Sequence, residues 1–212
     1  MKKTFFIFFV SILLIAMAIV GLVLLLGSNQ VGGGILVGFA VIAFLFIVIS
    51  YNKLVNYKHK VKESLALVDI QLKLRFDLIP NLVNTVKGYA KHEKELFTET
   101  ARLRSMAVEA KDEEEKLEYA NKLVPQMRNI IAVAEGYPEL KADSLFRSLM
   151  DQLVEVEDRL VSARRIYDSN VNIYNTTIET FPQNIIASAL DFKTEPLFKI
   201  DTGESIVHKI TY

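Results

Sequence analysis

After Lys2 and Lys3 the chain carries no charged residue until Lys53. Inside that stretch, Phe5 to Leu26 is an uncharged run of 22 residues and Val31 to Ile49 a second run of 19. A helix needs ~20 mostly apolar residues to cross the hydrocarbon core of a bilayer. Each run is therefore long enough to span. Gly27-Ser28-Asn29-Gln30 lies between them, with Gly32, Gly33 and Gly34 close behind, and this is turn chemistry. A transmembrane helical hairpin is expected over residues 1–50. The first run is longer than the ~7–15-residue apolar core of a signal peptide, and no A-x-A-like cleavage site follows it. It is expected to be retained.

The flanking charges set an orientation. Lys2 and Lys3 precede the first run, and Lys53, Lys58, Lys60 and Lys62 follow the second. Basic residues stay on the cytoplasmic side, so both ends and the main domain are expected inside, with a short loop around residues 27–33 outside. Gly34-x-x-x-Gly38 opens the second run. Small residues four apart let membrane helices approach closely. Packing of the two spans against each other is the preferred use of that surface, and self-association in the membrane is the alternative.

The remainder of the chain is polar enough for water. Without Lys2 and Lys3, residues 51–212 hold 23 basic and 25 acidic side chains, a net charge of −2. No strongly basic domain exists, which argues against a nucleic-acid partner. Cysteine is absent, so disulfides and thiolate metal sites are excluded.

From Tyr51 the pattern is helical. Leu54, Val61, Leu65, Val68 and Leu72 form one apolar stripe, and nothing breaks the helix between it and the second span. Pro80 then raises a question, because a proline inside a helix costs ~3 kcal/mol. Asp77 precedes it by three residues and can serve as an N-cap, with Pro80 in the first turn of a new helix. The spacing thus predicts a corner near residues 76–78, against the alternative of one long kinked helix. The next apolar face is Leu78, Ile79, Leu82, Val83, Val86, Tyr89 and Ala90, continuing through Leu96, Phe97 and Leu103 to about Ala110.

A third helix is expected from the acidic run Asp112–Glu115 to Glu135, kinked or restarted at Pro125 and stopped by Gly136-Tyr137-Pro138. The fourth shows the clearest signal. Phe146, Leu153, Leu160, Tyr167 and Tyr174 recur every seven residues, and Leu149, Val156 and Ala163 follow the first three of them by three. Asp151, Glu155, Glu157, Asp158, Arg159, Arg164 and Arg165 are assigned to its polar faces, and Asn170 to a register-fixing position on the seam. A helix over residues 139–175 would be roughly 55 Å long, so the domain is expected to be elongated. Beyond Phe181-Pro182, Ile185, Ile186, Ala189 and Leu190 suggest a short helix. Phe192, Leu197 and Phe198 are expected to dock on the bundle end, and residues 197–212 suit a hairpin around Asp201-Thr202-Gly203.

The fold class is therefore all-α: an N-terminal transmembrane hairpin, an elongated antiparallel bundle of about four long helices, and a short C-terminal tail. The divisions fall at 1–50, 51–181 and 182–212.

No constellation for chemistry emerges. His59, His92 and His208 stand in no metal-ligand spacing, and Glu113, Glu114 and Glu115 read as a solvated acidic face. Nucleotide-binding and nucleophile-elbow motifs are absent. Tyr89, Tyr167 and Tyr174 read as core residues with hydroxyls at the bundle edge. No catalytic, cofactor-binding or metal-ligating residue is assigned, and the chain is expected not to be an enzyme.

Four stretches carry a resemblance. They are YNKLV at 51–55, VDIQLKLRFDLIPNLVNTVKGYAKHE at 68–93, AEGYPELKA at 134–142 and EDRLVSARRIYDSNVNIYNTTIETFPQNIIA at 157–187. Over about residues 35–198 the chain resembles the LemA family of bacterial membrane-anchored helical proteins. The resemblance implies a cytoplasmic bundle behind an anchor in the bacterial inner membrane, with no known catalytic activity and no cofactor. One branch of that family takes part in building magnetosome membranes, and other members are encoded near a membrane-bound zinc metalloprotease. The chain departs from the family in its additional first span, in Leu74 where relatives commonly carry a basic residue, and in the segment after Phe198.

Together these readings lead to an expected function. The chain would be a multi-pass, self-associating helical scaffold at the cytoplasmic face of the membrane. Its expected partners are the membrane, further copies of itself and a membrane protein. The alternative is an adaptor that recruits a membrane protease or an envelope-stress component.

Overall fold

The computed structural model describes residues 15–24, 26–27 and 30–198, and these are helical apart from short turns and an extended segment after Leu190. Helix α1 covers Ile15–Leu24. It is followed by α2 (Gln30–Tyr89), α3 (Lys94–Glu109), α4 (Glu113–Glu135), α5 (Pro138–Ala142), α6 (Ser144–Glu179) and α7 (Gln183–Ala189). No strand occurs among the described residues. The hairpin expected around Asp201-Thr202-Gly203 lies outside them, as does the first part of the first apolar run. The chain forms two compact units. One is built from residues up to 63 together with 168–197, the other from 64–167 with Phe198.

In the first unit, α1 meets the start of α2 at Gly21. A Cβ on Gly21 would stand 2.8 Å from Val37 Cγ2 and 3.1 Å from the Gly33 carbonyl, so only glycine allows this approach. Gly33 and Ala40 are buried on that side of α2. Gly34 and Gly38 are exposed, and a Cβ on either would meet nothing within 4 Å. The Gly34-x-x-x-Gly38 surface expected to pack the two spans together is thus not the one in contact. One residue along a helix is a rotation of ~100°, and that offset selects Gly33 over Gly34.

The same unit packs the part of α2 that follows the apolar stretch against the end of α6. Leu54 and Val61 are buried, as are Val171, Tyr174 and Ile178, with Ile186, Ala187 and Leu190 from α7 and its C-terminal flank. The extended tail is held to α6 by side chains. Tyr174 Oη donates to the Lys193 carbonyl at 2.9 Å. The Asn175 amide takes both backbone polar groups of one residue, accepting from Glu195 N at 3.0 Å and donating to the Glu195 carbonyl at 2.8 Å. Asn170 Nδ2 lies 3.4 Å from the Lys60 carbonyl, a long hydrogen bond between α6 and α2.

The second unit holds the seam. Phe146, Leu149, Leu153, Val156, Leu160, Ala163 and Tyr167 of α6 are buried, together with Val68, Leu72, Phe76, Ile79, Leu82 and Val86 of α2. α3 adds Phe97, Leu103 and Ala107, and α4 adds Leu123, Met127, Ile130 and Ala134. Full burial of a large apolar side chain stabilises by ~1.5–3 kcal/mol, so these facing rows hold the bundle. Helix α4 is capped by Asp112, whose carboxylate accepts from Glu115 N at 2.7 Å. It runs on through Pro125 without restarting. Asp143 caps α6, accepting from Leu145 N at 2.7 Å. That bond, with a 3.0 Å hydrogen bond from Tyr89 Oη, holds its carboxyl below the ordinary range and ties the end of α2 to the start of α6.

The corner expected near Pro80 does not exist. Helix α2 continues through Pro80 to Tyr89, and the chain breaks at residues 90–93 instead. The expected continuous segment from Leu78 to Ala110 is therefore two helices, α2 and α3. The reason lies in what Pro80 removes. Proline has no N–H, so the carbonyl four residues before it loses its helical partner. That carbonyl belongs to Phe76, and Arg104 Nε of α3 donates to it at 2.7 Å. Arg104 Nη2 also stands 3.8 Å from Asp77 Oδ1. An arginine from the next helix repairs the gap, and the apolar face on either side of Pro80 remains one surface. Asp77, expected as an N-cap, is an exposed partner of Arg104.

This repair can be isolated. Arg104→Ala should leave a poorly solvated carbonyl and cost about 1–3 kcal/mol. In the Pro80→Ala background residue 80 regains its N–H, and the same change should cost about 1 kcal/mol less. Denaturant unfolding of the four proteins in mild detergent measures this coupling. Equal costs in both backgrounds would contradict the repair.

Candidate functional site

Two features stand out from ordinary bundle packing: a charge cluster sealed in the second unit and an apolar segment with no core to enter in the first.

Arg75 is 1% exposed and Glu157 is 7% exposed, although both are ionisable. Arg75 Nε lies 2.9 Å from Glu157 Oε1. The Nε hydrogen is aimed instead at Met127 Sδ, 3.4 Å away, so the contact with Glu157 is a close ion pair and not a well-directed hydrogen bond. Arg164 adds a second positive charge acting on both groups, and Phe198 lies over its guanidinium at 5.7 Å. Tyr167 meets the same Phe198 ring edge-on at 4.8 Å. Loss of hydration dominates on both sides of the pair. Burial pushes the Glu157 carboxyl above its ordinary range despite Arg75 and Arg164, and burial lowers Arg75 despite Glu157.

Glu157 was expected on a polar face of α6, and the structure overturns that. It follows the seam residue Val156, in a column that also holds Met150, Arg164, Val171 and Ile178, of which Met150, Val171 and Ile178 are buried apolar residues. The core stripe of α6 is three columns wide, not two. Arg75 was overlooked for a related reason. Leu54, Val61, Val68, Arg75 and Leu82 recur every seven residues, and Arg75 stands in the middle of that apolar series. A charged residue interrupting a seven-residue apolar repeat was the signal in both helices.

The pair bears directly on packing. A buried pair contributes little net stability, because removing two ions from water offsets most of their attraction. It penalises arrangements that separate the partners, since a lone buried charge costs several kcal/mol. The three histidines stand elsewhere. His59 is exposed on α2, His92 is exposed in the α2–α3 turn, and His208 lies outside the described residues. Glu113, Glu114 and Glu115 occupy the first turn of α4, where they favour the positive end of the helix dipole. Glu113 approaches Asp69 and Lys116 of the same unit, and Lys116 Nζ contacts Asp69 Oδ1 at 2.6 Å. Leu74, the departure noted in the sequence, is exposed beside the buried Arg75.

The apolar feature is the first part of α2. Val31, Ile35, Phe39, Val41, Ile42, Phe44, Leu45 and Ile49 are all exposed, and the helix is long and apolar enough to cross a membrane. The second-run expectation falls here. Ile15–Leu24 alone is shorter than a span, and whether the first run crosses rests on residues outside the described set.

The ion pair yields two expectations. Glu157→Leu alone should destabilise by about 3–5 kcal/mol, whereas Arg75→Met combined with Glu157→Leu should be neutral or stabilising by up to ~4 kcal/mol. Guanidinium unfolding of the single and double variants checks this. Because burial raises its carboxyl above the ordinary range, Glu157 holds a proton more tightly in the folded chain than in the unfolded one. Its contribution is therefore full below the ordinary carboxylate range and is lost as pH rises through its raised folded value. A pH series of unfolding midpoints should show that decline, and Glu157→Gln should remove its share.

Comparison with known proteins agrees with this architecture. The model of the LemA family matches residues 64–212. The chain is 24% identical over 187 residues to Magnetosome protein MamQ 2 of Paramagnetospirillum magneticum, covering 76% of this chain and 69% of that protein. It is 22% identical to Magnetosome protein MamQ of Magnetospirillum gryphiswaldense, over 75% of this chain and 68% of the relative. Similarity to Protein LemA of Metamycoplasma hominis stands at 21%, over 73% and 71% of the two chains. With the family model covering well over half of its length, this chain belongs to the LemA family.

Proposed function

We propose that this protein is a non-catalytic, membrane-anchored helical scaffold that self-associates at the cytoplasmic face of the membrane. The observation that carries the reading is the continuity of α2. One helix of 60 residues begins in an exposed apolar stretch and ends in the bundle core, with no linker between anchor and domain. A bundle whose own core helix also carries the apolar stretch suits a protein stationed on a bilayer. Lys53, Lys58, Lys60 and Lys62 follow the apolar stretch and are exposed, which favours the cytoplasmic side for the bundle.

Self-association finds support in the open glycine surface. Gly21 occupies the Gly33–Val37 side of α2, which leaves Gly34 and Gly38 accessible among the described residues. Small residues at this spacing allow close helix contact in lipid. The relatives named as magnetosome proteins add weight to a role in organising a membrane.

Chemical crosslinking of the full chain in native membranes should trap discrete oligomers. Gly38→Leu should sharply reduce them while the bundle's helical signal and unfolding midpoint stay unchanged. A protein that is monomeric at all concentrations in native membranes and in mild detergent would refute the scaffold reading.

A further inference from the structure

Phe181 is 74% exposed and Ile185 is 58% exposed, four residues apart at the turn from α6 into α7. Their position along the first unit gives them a purpose. Asn170 of α6 stands beside Lys60 of α2, and the pairings Arg75–Glu157 and Tyr89–Asp143 show that the two helices run in opposite directions. Glu179, the last residue of α6, lies about nine residues beyond Asn170, and Tyr51 about nine residues before Lys60, each roughly 14 Å away at the helical rise. The turn that follows Glu179 is therefore near the level of Tyr51, just past the exposed apolar stretch.

Other contacts agree with that level. Phe192, just after α7, meets the ring of Tyr51 edge-on with centroids 6.5 Å apart. Phe192 N also donates to the Ala187 carbonyl at 2.9 Å, so α7 itself is held close to Tyr51. Tyrosines such as Tyr51 concentrate where hydrocarbon meets headgroups. Lys53, Lys58 and Lys193 are exposed in the same neighbourhood, and Lys58 reaches Glu195 on the tail at 4.0 Å. Glu179 and Asp191 flank the turn and are exposed, so their carboxylates need water and limit the depth that the turn can reach.

We infer that the α6–α7 turn is a second membrane contact, in which Phe181 and Ile185 insert into the headgroup–acyl boundary of the bilayer that α2 crosses. The inference rests on the membrane-spanning reading of α2. Apolar side chains in such a position enter ~5–10 Å into that boundary. The first unit then meets the bilayer at two points, the apolar stretch of α2 and the turn after α6.

The absence of tryptophan makes a direct test available. Phe181→Trp and Val41→Trp each place a single fluorophore in the full chain, which is reconstituted in phosphatidylcholine vesicles brominated either near the headgroup or near the chain ends. Val41→Trp should be quenched most by the deep bromines. Phe181→Trp should emit to the blue of its value in detergent-free denaturant and be quenched most by the shallow bromines. Failure of Val41→Trp to respond to any bromolipid would overturn the spanning reading, and the inference with it. Quenched Val41→Trp with an unquenched, red-emitting Phe181→Trp would overturn the inference alone. Blue emission from Phe181→Trp without bromolipid quenching would place a protein surface over the turn, and would equally overturn it.

Discussion

The carbonyl of Phe76 has no N–H above it, because residue 80 is a proline, and the guanidinium of Arg104 supplies the missing donor. Much of the architecture depends on that bond. It lets α2 pass Pro80 and reach Tyr89, where the hydroxyl joins the Asp143 cap of α6. It also fixes how α3 returns along α2, because Arg104 can reach Phe76 only when the chain reverses at residues 90–93. A proline that would ordinarily end a helix becomes a point of attachment for the next one.

Helix α2 carries the exposed apolar stretch and a row of the bundle core in one unbroken run of 60 residues. Its apolar stretch buries only Gly33 and Ala40 among the described residues, on the side that meets α1, while from Leu54 onward the same helix buries a residue nearly every turn. Midway along the bundle the Arg75–Glu157 pair bears on register. Apolar rows repeating every seven residues tolerate a slip of one repeat at modest cost. Charges inside both rows make such a slip expensive, because each ion would then be buried without its partner. Met127 accommodates the guanidinium with a polarisable sulfur and no competing charge.

Much of this was legible in the chain itself. The seven-residue seam of α6 is visible from Phe146 to Tyr174, and every residue assigned to it is buried except the polar Asn170. The stop at Gly136-Tyr137-Pro138 and the short helix after Pro182 also follow from local chemistry. The misreadings share a cause. Pro80 was read as a corner because local rules count hydrogen bonds within one helix, and the compensating donor lies 28 residues away. Glu157 was placed on a polar face because a two-column seam was assumed, where a third column is buried by the helices packed on it. Leu197 was expected to dock with Phe192 and Phe198, yet it is exposed while the two rings find partners.

By itself the sequence determined the helical class, the apolar character of residues 31–49 and the periodicity that marks the core. These are local properties, decided by side-chain transfer to apolar surroundings and by the geometry of a single helix. Only the tertiary structure decided where the chain reverses, which glycine meets the neighbouring helix, and which charges are buried. Those outcomes depend on a partner distant in sequence: Arg104 for the Phe76 carbonyl, Val37 for Gly21, Glu157 for Arg75. A hydrogen-bond donor or a counter-charge can be supplied from anywhere in the chain, so its absence nearby does not show that it is missing.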